Sequence, residues 1–364
     1  MVVNKDEKNV SCCKDADLNN YWKKKTIISF ILSVFVVFIH MSSFSQYSYE
    51  GTNAYTILNF SKLFFKRSFV LVAVPLFFII SGATLFRNYN PSQYKNKLIS
   101  KTKTLLIPFI CWNIINMIFS IITSYSFVSN YFISRQPFEL TLSNILLSIF
   151  FYKCNGPFWF IFNLMIFVIA TPVINYIMRK KTVGAISIIA LILLEAFNLR
   201  LPKVIFFEPE SIIYYLVGCF IGRHYFNVFI KKSSAKMQIL ASILFIIITL
   251  YKLCVEYEVI VFFKAVDIVI TIIYALAFWV MTDAIINKIT VRPYMKNSFF
   301  IYAAHINVSA IIIKLFYLAL PKAPIMAIFN FIICSTLSVF FICIMCKYLS
   351  RFTPQIYKVL SGNR

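Results

Sequence analysis

Apolar residues in this chain collect into repeated runs of about 18–23 residues, the length a helix needs to cross a ~30 Å hydrocarbon core. Inside lipid every backbone N–H and C=O must be paired within its own segment, so such runs form helices. They predict spans at 26–44, 64–86, 104–124, 158–178, 183–199, 211–223, 237–254, 262–286, 298–319 and 324–346, of which 183–199 and 211–223 are short. The chain is 60% hydrophobic and only 13% charged over 364 residues, too little polar surface for a soluble protein of that length. The expected fold class is therefore all-α and integral to a membrane, with about ten transmembrane helices. Leu140–Tyr152 is too short to span and is expected at the outer interface or as a re-entrant piece.

Lysine and arginine orient the spans. With the N-terminus inside, the inner segments collect Lys23–Lys25, Arg87, Lys95, Lys97, Lys101, Lys103, Arg179–Lys181, Arg223, Lys231, Lys232, Lys236, Lys288, Arg292 and Lys296. Adding Lys5, Lys8, Lys14, Lys347, Arg351, Lys358 and Arg364 puts roughly 25 of the 36 basic residues inside, with both termini cytoplasmic. The net charge of +23 is thus a membrane-side marker and not a nucleic-acid surface. The first run is not expected to be a cleavable signal peptide, since it begins about 25 residues in and lacks a small-residue cleavage site. The expected divisions are a cytoplasmic tail (1–25), one transmembrane domain (26–346) and a second cytoplasmic tail (347–364). Nine scattered cysteines imply no disulfide framework. Cys343 and Cys346 have CxxC spacing but no second ligand pair, so no metal is expected.

Ionisable residues at bilayer depth carry the functional signal, because inserting a charge there costs roughly 2.5–3.5 kcal/mol. His40 lies fourteen residues past Thr26, ~21 Å from the inner edge and so in the outer half. Its imidazole could serve as a general base toward a hydroxyl, or simply bond a neighbouring helix. His305 is only seven residues into its span, which separates the two rings by roughly 10 Å of depth and predicts that they act on different atoms. Asp267, three residues after Lys264, is expected to pair with it. Asp283 and Glu195, near helix ends, are expected to be paired or snorkelling. Val74–Gly82 puts Pro75, Ser81 and Gly82 in one span, where proline frees a carbonyl and Ser-Gly permits close helix approach. Lys95, Lys97, Lys101 and Lys103 either follow the charge bias or form a phosphate site for an anionic donor.

Four motifs occur in order: VVFIH ending at His40, VPLFFIISG over Val74–Gly82, Pro157-Phe-Trp159-Phe160 ahead of Pro172, and Ser298-Phe-Phe-Ile-Tyr302-Ala-Ala-His305. On these the chain resembles the membrane-bound acyltransferase 3 family, ten-helix proteins that O-acylate, mostly O-acetylate, surface carbohydrates. The resemblance runs from about Tyr21 to Leu349.

It implies acyl transfer from a cytoplasmic acyl-CoA, with acetyl-CoA as co-substrate and no bound cofactor or metal, to a carbohydrate hydroxyl. His40 would be the general base or a transient acyl carrier. Ser81, Trp159, Tyr302 and His305 would support it, and Lys24, Lys25, Lys101 and Lys103 would meet the donor. The implied setting is a multi-pass protein of a bacterial plasma membrane, with lipid, carbohydrate acceptor and acyl-CoA as partners and no nucleic acid.

Two motifs depart from the family pattern. Members usually carry Arg eleven residues before the first-span histidine and Asp three before that. Here Ser29 and Thr26 stand there. The basic pair ahead of a third-span proline reads Lys101 and Thr104 before Pro108. A glycan transporter or flippase shares the ten spans, and Ser29 and Thr26 also leave open a non-catalytic partner in a glycan assembly complex.

Overall fold

The computed structural model describes residues 5–41, 52–124, 138–197, 209–319 and 324–363, and among them every regular element is helical. The outer ends expected for the spans at 26–44 and 183–199 fall outside the described residues at 42–44 and 198–199, as does Arg364. So do the side chains of Lys5, Lys8, Cys12, Cys13 and Lys14.

The first helix, α1 (Lys5–His40), runs without a break through the expected tail boundary at Thr26. Ile28, Leu32 and Val36, spaced by four, bury one stripe of it. The next stretch is α2 (Thr52–Lys62), a π-helical turn (Leu63–Ser68), a 3-10 turn (Phe69–Val72) and α3 (Ala73–Phe86). α4 (Tyr94–Lys101) passes through a second π-helical turn (Thr102–Leu106) into α5 (Ile107–Ser124). Both irregular stretches stand just before a proline, Pro75 and Pro108. A proline donates no backbone hydrogen bond and clashes one turn back, so each helix changes pitch before it.

α6 (Leu142–Phe150) has 9 residues, capped by Thr141 Oγ1 accepting from Asn144 N. The expected span at 158–178 is two helices, α7 (Trp159–Ile169) and α8 (Thr171–Met178), bent by 66°. Pro172 sits in the first turn of α8, where its missing N–H is harmless, and ends α7. α9 (Lys181–Ala196) and α10 (Glu210–His224) have 16 and 15 residues, short of the ~20 a full crossing needs. Then come α11 (Phe226–Ile230), α12 (Ala235–Glu256), α13 (Lys264–Met281), α14 (Asp283–Ile286), α15 (Ser298–Ala319), α16 (Pro324–Phe352) and α17 (Pro354–Ser361). By length and composition, 6 stretches among the described residues can cross a membrane, or 7 with the bent α7–α8 pair.

The tightest packing joins α3 to α10. A Cβ on Gly82 would overlap the backbone of Tyr215 and Cys219, one on Gly218 that of Ile79, and one on Gly222 that of Ala83. Gly218 and Gly222 form a GxxxG stripe, and helices in lipid associate through such close approach. Gly82 therefore serves packing, and α10 is a central helix despite its length.

Buried charges tie the remaining helices. Lys24 Nζ meets Asp283 Oδ1 at 2.6 Å, and Ser233 donates to Asp283 Oδ2 from its N at 3.0 Å and its Oγ at 2.5 Å. Lys264 does not pair with Asp267. It reaches Glu195 at 2.6 Å and Glu210 at 3.2 Å, while Asp267 takes Lys252 at 2.9 Å. Glu195 is buried and needs a cation, and Lys264, in the first turn of α13, points across to α9 and α10. α17 docks back on α5, where Trp112 Nε1 donates to Leu360 O at 2.9 Å.

Candidate functional site

α1 and α15 lie side by side and run the same way. Ser33 Oγ shares its proton between the carbonyls of Ser29 at 2.8 Å and Ser298 at 2.9 Å, so the first residue of α15 is level with Ser33 and not with Thr26. Seven residues further along each helix stand His40 and His305, with ring centroids 5.2 Å apart and planes tilted by 46°. This overturns the expected separation in depth. The ~10 Å that divided the two rings on paper is the rise of seven helical residues. α15 begins that far into the bundle because Pro293–Asn297 enters as a separate 3-10 turn.

The two rings differ in their surroundings. His305 is 1% exposed, and its Nδ1 lies 2.6 Å from the Tyr302 carbonyl. A carbonyl only accepts, so Nδ1 carries the proton and Nε2 keeps its lone pair, an assignment made from the bonding. That Nε2 is buried with no hydrogen-bond partner. His40, the last residue of α1, is exposed. Two rings this close can address one atom from different sides.

Below the pair a cavity of about 780 Å³ opens among α1, α3, α4, α7 and α15. Its mouth carries Lys25, Arg87, Lys97, Lys101 and Lys296. All five belong to segments that the charge bias assigns to the inner side. Trp22 stands at the mouth between two cations, Lys25 Nζ at 4.8 Å and Arg87 Cζ at 4.9 Å from its ring. Deeper, hydroxyls line the wall: Thr26, Ser29 and Ser33 from α1, Ser81 and Thr84 from α3, and Ser298 and Tyr302 from α15. Trp22, Thr26, Ser29 and Ser33 recur at three and four residues, one face of α1 rising ~16 Å from mouth to Ser33. Tyr302, whose hydroxyl donates to the Pro157 carbonyl, closes the far end one turn short of His305.

Of the residues singled out in the sequence, Lys25, Lys101, Ser81 and Tyr302 line this cavity and His305 joins His40. Lys24 does not face it. Its ammonium is held by Asp283 and lies 4.1 Å over the Trp279 ring, because consecutive helical residues point ~100° apart. Lys103 is exposed and outside the lining, and Trp159 packs 6.1 Å from Phe78 while its neighbour Phe160 lines the wall. Arg87 and Lys296 appeared in the sequence only as inner-side markers. Lys97, four residues before Lys101 on α4, shared its helix face, and that spacing was the available signal.

Residues 28–347 match the acyltransferase domain of the acyltransferase 3 family. The chain belongs to that family. The match covers the histidine pair, the cavity wall above Ser29 and the bundle that holds them, so the activity class is acyl transfer by a membrane protein with several apolar helices. No curated protein and no solved structure matches the chain.

Proposed function

We infer that this acyltransferase moves an acyl group, acetyl in the first instance, from a cytoplasmic acyl-CoA to a hydroxyl of an exported or surface carbohydrate. In this reading both chain termini are cytoplasmic, the transmembrane domain spans about ten segments of a bacterial plasma membrane, and the flanking tails lie inside. The observation that carries it is the cavity. A mouth of five basic residues suits the phosphates of an acyl-CoA, and a hydroxyl-lined wall leads from it to Tyr302, next to the histidine pair.

The donor's charged head meets Lys25, Arg87, Lys97, Lys101 and Lys296, while its thioester arm runs along Ser29, Ser33 and Ser81. Thr26 and Ser29 line the cavity where the family usually has Asp and Arg, so here the mouth lysines and Arg87 supply the positive charge. His40, exposed at the outer end of α1, takes the proton of the acceptor hydroxyl as that oxygen attacks the thioester carbonyl. The C–S bond breaks and the thiolate leaves toward the inner side. General-base assistance of this kind contributes about 10²–10⁴ in rate. His305, with its Nδ1–H held by Tyr302, offers Nε2 beside the same reacting atoms.

The test is mass spectrometry of the surface polysaccharide from cells carrying the wild-type chain or His40→Ala at equal protein level. Loss of acyl substituents in the variant is expected. An unchanged acylation pattern removes His40 as the base.

A further inference from the structure

Among the described residues, the outer end of α1 meets three positive charges that no carboxylate answers. Lys66 Nζ donates to the carbonyl of Met41, the residue after His40, at 2.7 Å. Lys62 and Arg67 lie near enough to repel it, and Lys66 in turn acts on His40 electrostatically. Among the described residues none of the three forms an ion pair, whereas Lys24, Lys252 and Lys264 each do. Among the described residues, 26–41, α2 and α16 carry no acid, Asp267 of α13 is taken by Lys252, and the one acid of α12 is Glu256 at its exposed last residue.

Uncompensated charge of this kind has a cost. Like charges one helical turn apart oppose each other. Lys66 is also partly buried, and an ammonium has three donors, of which Met41 takes one. Lys66 and Arg67 lie in the π-helical turn at Leu63–Ser68. The cluster further opposes the charge bias, which places most basic residues at the inner ends of the helices.

We propose that Lys66, flanked by Lys62 and Arg67, binds an anionic group, a phosphate or a carboxylate, carried by the acceptor sugar beside His40. The acceptor is then an acidic carbohydrate or a sugar phosphate. Its acid replaces the missing counterion and fixes the distance from the anchored group to the hydroxyl that His40 deprotonates. This assignment rests on the acyl-transfer reading for its purpose, but the binding can be measured without any acyl donor.

The full chain in phosphatidylcholine nanodiscs is titrated calorimetrically with glucose 1-phosphate, methyl glucuronide and methyl glucoside. At least one acid is expected to bind on the order of tenfold more tightly than the neutral sugar, and Lys66→Gln to remove that preference. Which acid binds identifies the group. Equal binding of all three sugars overturns the proposal, as does a preference that survives in Lys66→Gln. Should that variant fail to fold, Lys62→Gln with Arg67→Gln leaves the Met41 contact in place. It is expected to weaken acid binding about threefold, and an unchanged affinity overturns the proposal. Acid preference in a chain that transfers no acyl group from any acyl-CoA supports the anion site and removes the acyl-transfer reading instead.

Discussion

The two ends of the α1–α15 core treat charge in opposite ways. At the end where α1 carries Lys24, that residue is buried against Asp283, and Ser233 fills the remaining acceptor of the carboxylate. At the histidine end His305 presents a buried Nε2 with no partner, and among the described residues Lys66 meets only a carbonyl. A buried polar group without a partner costs about 1–3 kcal/mol, so a fold tolerates it where a ligand or reacting atom completes it. The Lys24–Asp283 pair is a strut of the fold, whereas His305 Nε2 and Lys66 keep bonding capacity for a ligand.

The strongest way to break that contrast is His305→Ala. Acyl transfer is expected to fall by about 10²–10⁴, measured with acyl-CoA on purified protein, while the amount of folded protein changes little. Activity within threefold of wild type would show that the unpartnered nitrogen is a packing defect and that His40 acts alone. Asp283→Ala should do the reverse. It strands Lys24 in the interior and is expected to cost about 3–5 kcal/mol of stability, read from thermal unfolding. The paired change Lys24→Met with Asp283→Leu removes both charges and should recover much of that loss. If the double variant is as unstable as the single one, the pair is more than a strut.

A smaller effect is expected at the cavity mouth. Lys97→Gln with Lys101→Gln should raise KM for acyl-CoA about tenfold with kcat nearly constant, and the difference should shrink at high salt. A fall in kcat at unchanged KM would place these lysines outside donor binding. Ser33→Ala is the mildest change. It deletes the hydrogen bond that sets the register of α15 on α1, worth about 1 kcal/mol, and slower turnover is expected to accompany a small drop in unfolding temperature.

Much of the bundle was readable from apolar run length alone. Bilayer thickness and backbone pairing leave only helices, and the ordered motifs around His40, Pro75–Gly82 and His305 pointed to the family. Positions that depend on where a helix begins in space were not readable. The bend at Pro172 splits one expected span, which a count of apolar residues cannot reveal, whereas the shortness of α9 and α10 was already visible in the short runs at 183–199 and 211–223.

The partners of charged and polar groups were likewise decided by packing. Lys24 and Lys25 are neighbours in sequence, yet ~100° of helical rotation sends one into an ion pair and the other to the cavity mouth. Lys264 passes over the nearby Asp267 for Glu195, because α9 brings a buried carboxylate to it.

By itself, then, the sequence determined that this chain is a helical membrane protein with a histidine in its first apolar run, since those properties follow from composition and local spacing. Only the tertiary structure decided that His40 has a second histidine beside it. Depth along a helix is local, but the offset between two helices is set by contacts between them, here Ser33 on Ser298.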